Sequence, residues 1–322
     1  MNTLLVIEPG AFTTVQDLGR FGYRHLGVPP SGALDEFACR TANLLVGNAP
    51  GHAVLEMTLA GVVLAVLAPV DVALTGADMP VRVNRQPVDN WCSIRLAPGD
   101  LLRIEPARSG CRGYLAVTGG IDVPPVMGSR STNTMAAMGG LEGRPLKKGD
   151  LLACGAGSLL ERPRKVPPAM RPRYTQPVVL RAIPGPQDDF FTEGLQRLFT
   201  RPFTVSARAD RMGCRLEGPQ IPLRRAMPES IISEPILPGG IQIPADGQPI
   251  ILLNEQTAGG YAKIATVISA DLPAVAQAAA GDTVVFRQTD PRIARDLRRE
   301  NELRLARLRE MFSKKGRGKG SV

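Results

Sequence analysis

The sequence predicts a mostly β protein with a few helices. Of its 322 residues, 34 are glycine and 29 are proline, which is typical of a chain with many turns. Short runs of β-branched and other apolar residues lie between these turns, and helical periodicity is weak over most of the length. A hydrophobic fraction of 43% supports a core, and a chain of 322 residues suits two medium domains.

The first half of the chain predicts a strand, a long loop, one helix and a series of strands. Leu4–Ile7 is the first strand, and residues 9–35 form a loop rich in glycine, proline and polar side chains. Asp35 is a suitable N-cap, and Gly47 a suitable terminator, for a helix between them. Further strands are predicted at 54–58, 61–67, 70–75, 80–83, 93–96, 101–104 and 112–117.

A segment rich in proline and arginine, residues 161–177, predicts a linker. It separates an N-terminal β-rich part, residues 1–160, from a C-terminal part, residues 178–289. In the second part a helix over 188–199 is expected to be capped by Asp188 or Asp189. Its strands are predicted at 178–183, 203–206, 230–232, 241–243, 250–253, 264–268 and 283–287.

Residues 290–322 predict a basic amphipathic helix followed by a flexible tail. Asp290 is a good N-cap and Pro291 a good first helical residue. The apolar residues recur at roughly helical spacing, at Ile293, Leu297, Leu305, Leu308 and Phe312. Two interpretations stay open: a solvated helix packed on the body, or an arm that docks a partner or an anionic surface.

Charge and cysteine usage exclude several classes of protein. Eight arginines and three lysines against four acidic residues lie between Pro291 and Val322, so most of the net charge of +9 is terminal. With aromatic residues at 4%, the body lacks the pattern of a nucleic-acid binder. Five cysteines without a CxxC pair, and two histidines, predict neither disulfides nor a metal site. Reduced thiols favour a cytoplasmic location.

No membrane segment or leader is predicted. The N-terminus has no basic region before its short apolar run, so it is typical of a strand and not of a signal peptide. The most apolar stretch, from Met57 to Val70, contains Pro69 and is too short to span a bilayer.

Standard catalytic motifs are absent from the sequence. It contains no G-x-x-x-x-G-K-[ST] loop, so ATP would require a different cradle. The nucleophile motif G-x-S-x-G is also absent. Since no lysine precedes a methionine, biotin would arrive on another chain or domain.

The polar loop that ends at Lys263 is the main candidate site. Asp246, Tyr261 and Lys263 are the candidate catalytic residues, with Asp246 as a proton acceptor and Lys263 as a charge for a carboxylate, carbonate or phosphate. The paired glycines allow backbone N–H groups to approach a ligand closely. Candidate substrate-binding residues are Gln242, Gln256, Thr257, Gly259, Gly260, Arg130, Ser131 and Arg211. Such donors and acceptors suit an amide such as urea or a lactam.

A supporting role is assigned to polar residues near the N-terminus. They are Gln16, Asp17, Arg20, Ser31 and Asp35. A purely structural interpretation stays open for each: Asp17 and Arg20 would pin a turn as an ion pair, and Ser31 and Asp35 would cap a helix.

Ten segments, in this order, resemble the allophanate hydrolase subunit 2-like family, also described as biotin-dependent carboxyltransferases. The segments are 13–20, 27–35, 55–58, 75–78, 108–112, 119–124, 128–132, 185–187, 211–218 and 242–263. The resemblance covers about residues 3–288 and implies a cyclophilin-like β-barrel architecture in two related barrel parts. It further implies the C-type subunit of a prokaryotic ATP-dependent 5-oxoprolinase, which opens the lactam of 5-oxoproline to glutamate together with partner subunits.

The same resemblance implies two alternative functions. One is the carboxyltransferase subunit of a biotin-dependent urea or amide carboxylase, with carboxybiotin supplied by another chain. The other is a non-catalytic regulator that binds a subunit 1-like kinase inhibitor. The partners implied are a subunit 1-like chain (the B-type component) and a LamB/YcsF-type chain (the A-type component), with a small amide or lactam as substrate.

Three positions depart from the family pattern. Cys214 replaces a tyrosine, Ala262 replaces a proline, and Asn254 stands where an acidic residue is common. We expect these changes to reshape a pocket, loosen the loop that carries Lys263 and weaken a proton-transfer role, respectively.

Overall fold

The computed structural model describes residues 2–314. Contacts divide these residues into two compact units: 2–20, 31–173 and 301–314 form the first, and 21–30 and 174–300 form the second. Phe21–Pro30 therefore groups with the second unit, although it precedes most of the first in sequence.

The first unit contains two antiparallel sheets and one helix of its own. The strands and the helix are β1 (Asn2–Glu8), β2 (Phe12–Gln16), α1 (Glu36–Leu45), β3 (Val54–Thr58), β4 (Val63–Val66), β5 (Val70–Asp78), β6 (Val81–Val83), β7 (Gln86–Val88), β8 (Ser93–Leu96), β9 (Leu101–Ile104), β10 (Ser109–Val117) and β11 (Leu151–Ala153). The six-stranded sheet has the order β11-β1-β4-β9-β6-β7, and the five-stranded sheet has the order β2-β3-β10-β5-β8.

The five-stranded sheet lies between the other sheet and α1, because successive side chains of a strand face opposite ways. On β10, Leu115 and Val117 belong to the core shared with the six-stranded sheet. Tyr114 and Ala116 pack instead in the cluster that contains α1. Both faces of this sheet are therefore buried, which explains its almost continuous apolar strands.

The second unit contains a closed barrel. Its elements are β12 (Val178–Pro184), α2 (Thr192–Thr200), β13 (Phe203–Val205), β14 (Gly213–Glu217), β15 (Glu234–Pro235), β16 (Gly240–Gln242), β17 (Ile250–Leu252), β18 (Ala258–Gly259), β19 (Lys263–Val267), α3 (Leu272–Gln277) and β20 (Thr283–Gln288). Seven strands close in the order β12-β19-β16-β17-β14-β13-β20, and β15 pairs with β18 as a separate two-stranded sheet.

The last helix, α4 (Pro291–Lys314), begins as the sequence predicts. The Asp290 carboxylate accepts hydrogen bonds from the backbone N–H groups of residues 292 and 293, at 2.8 and 3.0 Å. Leu308 and Phe312 are buried in the cluster that contains α1, whereas Ile293 is 41% exposed. The packed-helix interpretation holds for the second half of α4, and the predicted flexible tail lies outside the described residues.

The predicted fold class is confirmed, with several local differences. The chain is mostly β, and the second unit is a barrel, but the two sheets of the first unit do not form a second closed barrel within the described residues. The predicted loop 9–35 contains β2. The predicted strand at 230–232 is irregular, and Ile232 there is 93% exposed, so its apolar character does not reflect burial.

Two further segments differ from the prediction. Neither Asp188 nor Asp189 caps α2, because both lie in a 3₁₀ turn and the N-cap position is Phe191. Residues 161–173 of the predicted linker belong to the first unit. Val166 is fully buried and its N–H donates to the Trp91 carbonyl at 2.9 Å, so apolar burial fixes this segment despite its prolines.

No helix between residues 2 and 314 is both long and apolar enough to cross a membrane. All five cysteines are free thiols. The described residues contain no group of histidine, cysteine and carboxylate side chains arranged to hold a metal ion.

Candidate functional site

The barrel unit brings Lys263 and Glu234 into contact. Lys263 is the first residue of β19 and only 7% exposed. Its ammonium group forms an ion pair with the Glu234 carboxylate, which lies on β15 and is 39% exposed. A nearly enclosed cation therefore meets a carboxylate that is still in contact with solvent.

The amide of Gln187 holds both members of this pair. Its oxygen accepts a hydrogen bond from the backbone N–H of Lys263 at 3.0 Å. Its nitrogen donates to Glu234 Oε1 at 2.9 Å. The pKa of Glu234 is lowered, and the largest cause is the hydrogen bond from Lys263. Burial opposes this effect, whereas the hydrogen bond from Gln187 adds to it. We call Gln187, Glu234 and Lys263 the lysine triad.

Gln242 and Gly259 adjoin the lysine triad. Gln242 is 3% exposed on β16, and its side-chain nitrogen donates to the Tyr261 carbonyl at 3.3 Å. A Cβ on Gly259 would lie 2.5 Å from that nitrogen, so glycine is required here for close approach to Gln242. The sequence-predicted residues Gln242, Gly259, Tyr261 and Lys263 are thus brought together, with the Tyr261 residue 41% exposed.

The lysine triad offers a donor and an acceptor side by side. A lysine ammonium donates only, and an ionised glutamate accepts only. An amide presents the complementary pair, because its carbonyl accepts and its N–H donates. The half-exposed Glu234 carboxylate and the Lys263 ammonium are thus an acceptor and a donor of the kind that an amide complements.

Asp246 does not belong to this group. It is exposed in the turn between β16 and β17, where its carboxylate accepts the backbone N–H of Gln248 at 3.0 Å. The Gln248 side chain in turn bonds both backbone groups of Gly218, at 2.8 and 3.2 Å. This contact is that of a turn-forming residue, and the catalytic role of Asp246 stays a prediction.

Four other predicted binding residues of the second unit lie outside the lysine triad. Arg211 is 7% exposed and donates to the buried Glu255 carboxylate at 2.7 Å. The Thr257 carbonyl accepts the backbone N–H of Ile236 at 3.1 Å, and Gln256 beside it is half-buried. Gly260 has only the Ile231 carbonyl and Ser233 hydroxyl near the position of a Cβ, so it is less constrained than Gly259.

Asp17 is the centre of a separate hydrogen-bonded cluster in the first unit. Its carboxylate accepts four hydrogen bonds: from the Ser129 and Ser131 hydroxyls at 2.6 and 2.5 Å, and from the Gly19 and Arg130 backbone N–H groups at 2.8 and 2.6 Å. These contacts join the loop after β2 to the loop 128–132. The predicted Arg130 and Ser131 therefore serve this cluster, with the Arg130 guanidinium bonded to the Val123 carbonyl at 2.8 Å.

Arg20 is fully buried beside Asp17 and bonds two carbonyls, those of Val126 and Ser131, each at 2.9 Å. Desolvation lowers the pKa of Arg20, and the nearby Asp17 charge opposes that effect. The cluster is therefore a buried hydrogen-bonded network that joins these loops, and the supporting role assigned to Asp17 and Arg20 stays a prediction.

Gln16, Ser31 and Asp35 complete the support. Gln16 bonds the Thr132 carbonyl and the Gly32 N–H, at 3.1 Å each. Ser31 adopts a positive φ of 53° and accepts a hydrogen bond from Asn133. Asp35 caps α1 through the Ala38 N–H at 2.9 Å, as the capping interpretation predicts.

The departures from the family pattern have local structural correlates. Cys214 is 3% exposed and pairs with Ile251 inside the barrel sheet. Ala262 is 1% exposed directly before Lys263. Asn254 is half-buried. The neighbouring Glu255 supplies the carboxylate in this stretch, and it accepts a hydrogen bond from Arg211.

Sequence reasoning missed Glu234 and Glu255. Glu234 lies on a two-residue strand inside an irregular segment, 29 residues before the lysine that it pairs with, so no motif marks it. Gln187 lies in a segment that resembles the family. Its contacts with Glu234 and Lys263 form only when the barrel folds, so no sequence pattern indicates them.

Comparison with known proteins identifies the family. Residues 26–288 match the carboxyltransferase domain, subdomain A and B. The chain is 41% identical over 291 residues to the C-type subunit of 5-oxoprolinase from Escherichia coli, a match that covers 88% of this chain and 91% of that protein. It is 33% identical to "Urea amidolyase" of Lachancea kluyveri over 95% of this chain but 18% of that protein.

Solved structures agree with this relationship. The urea amidolyase of K. lactis superposes with a TM-score of 0.90 at 32% identity, over 95% of this chain and 20% of that one. The protein TTHA0988 superposes with a TM-score of 0.80 at 37% identity, over 89% of this chain and 55% of that one. The relative from E. coli is named as an enzyme subunit, and this chain matches 18% of the L. kluyveri enzyme. The chain belongs to the family of carboxyltransferase domains that comprise subdomains A and B.

Proposed function

We propose that this chain is the C-type subunit of an ATP-dependent 5-oxoprolinase and that the lysine triad binds the lactam. The single observation that carries the proposal is the identity of 41% with the 5-oxoprolinase subunit of E. coli over 91% of that protein. The ion pair of Lys263 and Glu234 supports it, since it presents one donor and one acceptor to an amide.

In the proposed binding mode, Lys263 donates to the lactam carbonyl oxygen and Glu234 accepts the ring N–H. Substrate then replaces the direct contact between the two charges with one contact to each. Gln187 keeps both side chains in position because its amide bonds both of them. The Lys263 charge stabilises negative charge that develops on the carbonyl oxygen.

Ring opening requires several bond changes. In the proposed sequence ATP first transfers its γ-phosphoryl group to the carbonyl oxygen, which releases ADP. A first water attacks the carbonyl carbon, the C–N bond breaks and the nitrogen takes up a proton, which leaves an acyl phosphate. A second water then attacks the acyl carbon, and phosphate leaves with the original carbonyl oxygen, which yields glutamate. Since the sequence lacks the G-x-x-x-x-G-K-[ST] phosphate-binding motif, the proposal places ATP on a partner chain.

Partner chains complete the proposed enzyme: a B-type chain of the subunit 1-like kind and an A-type chain of the LamB/YcsF kind. The proposed complex is cytoplasmic. Its test is a reconstitution from the three purified chains, with glutamate and ADP release measured with and without 5-oxoproline. Turnover that requires 5-oxoproline and is lost when this chain is omitted supports the proposal. A stable complex without turnover contradicts it.

A second candidate function has its own supporting observation. The structural agreement with urea amidolyase, at a TM-score of 0.90, favours a carboxyltransferase that passes a carboxyl group from carboxybiotin on another chain to an amide nitrogen. Glu234 would then orient the attacking N–H. The same complex assayed with urea, bicarbonate and a biotinylated carrier discriminates the two functions.

A further inference from the structure

The first unit contains a cavity of about 870 Å³, a size typical of pockets that bind small molecules. Among the described residues it is lined by the turn after α1, one surface segment and the end of α4: Gly47, residues 158–165, Phe312 and Ser313. All of these residues belong to the first unit, whereas the lysine triad belongs to the second. The cavity is therefore a binding site that the proposed lactam chemistry does not involve.

Two backbone anchors hold the surface segment of this cavity in place. The N–H of Leu160 donates to the Asp71 carboxylate at 2.6 Å, and its carbonyl accepts a hydrogen bond from Arg95 at 2.5 Å. Arg95 also pairs with that carboxylate at 2.5 Å, which compensates the charge of Asp71. The N–H of Arg164 donates to the Ser93 hydroxyl at 2.7 Å, and the Ser93 N–H donates to the Arg164 carbonyl at 2.8 Å. This wall is therefore fixed before any ligand binds.

The Arg164 guanidinium lines the cavity with most of its hydrogen-bonding capacity free. Its Nη1 donates to the Leu44 carbonyl at 2.6 Å, near the end of α1. A guanidinium carries five N–H groups, and the described residues supply no second acceptor for this one. Desolvation lowers the pKa of Arg164, and the Asp71 charge opposes that effect. A partly desolvated cation with free donors favours an anionic ligand.

Two apolar side chains lie beside this guanidinium. The ring of Phe312 has its centre 5.6 Å from the central carbon of the Arg164 guanidinium. A Cβ on Gly47 would lie 3.2 Å from Leu160 Cδ2 and 3.7 Å from Arg164 Nη1, so the Leu160 and Arg164 side chains approach the same point. The cavity therefore offers an apolar wall next to its cationic group.

The lining residues also carry an excess of positive charge. Arg162 and Arg164 form no ion pair among the described residues, whereas Lys165 pairs with Asp89 at 2.6 Å. Glu161 is the one acidic side chain in the described lining, and it is exposed. Two arginines opposed by one solvated glutamate favour an anion that carries more than a single charge.

We propose that this cavity binds an organic phosphate, that is, a phosphate group attached to a planar apolar group. The phosphate bridges Arg162 and Arg164, because guanidinium groups match phosphate in geometry and in charge. The planar group packs against Leu160 and Phe312. Such a ligand contacts α4 and the segment 158–165 together, so its binding stabilises the first unit against unfolding.

Calorimetry of the full chain with phenyl phosphate tests the site. A Kd of about 1 mM or tighter is expected, since the probe combines a charged and an apolar contact. Inorganic phosphate lacks the ring and benzyl alcohol lacks the charge, so each should bind at least about 10-fold more weakly. Saturating phenyl phosphate should also raise the Tm of the chain.

Substitutions with effects of opposite sign distinguish this site from a change in folding. Arg162→Gln and Arg164→Gln should each weaken phenyl phosphate binding by about 10-fold. Glu161→Gln should tighten it by about 2- to 3-fold, because a repelling charge is removed. Arg108→Gln is the matched control, since Arg108 is exposed in the first unit and does not line the cavity. It should leave the affinity unchanged.

A wild-type Kd weaker than about 1 mM would overturn the proposal. So would equal affinities for phenyl phosphate and benzyl alcohol, or an equal loss in Arg108→Gln, because the anion would then not be recognised in this cavity. If Arg164→Gln fails to fold, the exposed Arg162 and Glu161 decide the matter. Opposite shifts in affinity from Arg162→Gln and Glu161→Gln support the site, and unchanged affinities contradict it.

Discussion

The side-chain oxygen of Gln187 accepts a 3.0 Å hydrogen bond from the backbone N–H of Lys263, although the two residues are 76 positions apart. The same amide donates to Glu234, the ionic partner of Lys263. A neutral side chain that holds both charges fixes their separation before any ligand arrives. Pre-organised donors and acceptors of this kind cost little reorganisation when substrate charge develops.

Removal of the Gln187 side-chain amide should reduce activity far more than removal of Asp246, the proton acceptor predicted from the sequence. Gln187→Ala in the assembled enzyme should lower kcat/KM by about 10- to 100-fold, because Lys263 and Glu234 lose their common anchor. Asp246→Ala should leave kcat/KM within about 2-fold, since Asp246 only shapes an exposed turn. Steady-state kinetics of both variants check this, and an inactive Asp246→Ala enzyme with an intact fold would restore Asp246 to the site.

Glu234 should titrate below its ordinary range while Lys263 is present. The hydrogen bond from Lys263 lowers the pKa of Glu234 from the usual 4.5. A depressed carboxyl pKa contributes stability above the unfolded pKa, and that contribution is lost as the pH falls through the folded pKa. The loss of folding stability that comes from protonation of Glu234 is therefore expected below pH 4.5.

Carboxyl ¹³C NMR measures the Glu234 titration directly, with Glu234→Gln to assign the resonance. In Lys263→Met the midpoint should move upward toward the ordinary glutamate value. An unchanged midpoint would mean that the ion pair does not form in solution.

Asp17 should be a major stabilising residue of the first unit. Asp17→Asn removes the charge that accepts four hydrogen bonds and leaves the buried Arg20 without its neighbouring anion. We expect a loss of about 3–5 kcal/mol in the free energy of unfolding. Asp78→Asn, at an exposed position, should change it by less than about 0.5 kcal/mol. Urea denaturation compares the two, and equal stabilities would show that the cluster contributes little.

The second half of α4 should stabilise the first unit through Leu308. This side chain is fully buried against the α1 cluster, whereas Leu303 on the same helix is 48% exposed. Leu308→Ala should cost about 2–5 kcal/mol, and Leu303→Ala below about 1 kcal/mol. Both substitutions have the same helix propensity change, so a similar loss from each in thermal unfolding would argue against the packing role.

Local pattern predicted much of the fold. The strands β3, β8 and β9 have the predicted bounds, because short β-branched runs between turn residues define them. Burial on both faces of a sheet removes alternation, however, and β2 was hidden in a segment dense with polar residues. The Ile231-Ile232 pair predicted a strand that does not form: Ile231 is half-buried and Ile232 is 93% exposed, so their apolar character does not reflect a core.

Only some residues of the candidate site were predictable from the sequence. Lys263 and Gln242 stand out in a glycine-rich polar loop, and the resemblance to the family marks the same stretch. Glu234 could not be found in this way, since its role arises when the two-residue strand β15 pairs with β18. Long-range pairing of short strands leaves no periodic signal in the sequence.

Replacement of Lys263 tests the central claim most directly. The three-chain complex would be assembled with wild-type chain or with Lys263→Met, and release of glutamate and ADP measured at saturating 5-oxoproline. The account predicts that Lys263→Met assembles normally and loses about 100-fold or more of the 5-oxoproline-dependent rate, while the exposed-site control Lys148→Met retains it. An assembled Lys263→Met complex with the wild-type rate would contradict the assignment of the lysine triad as the lactam site.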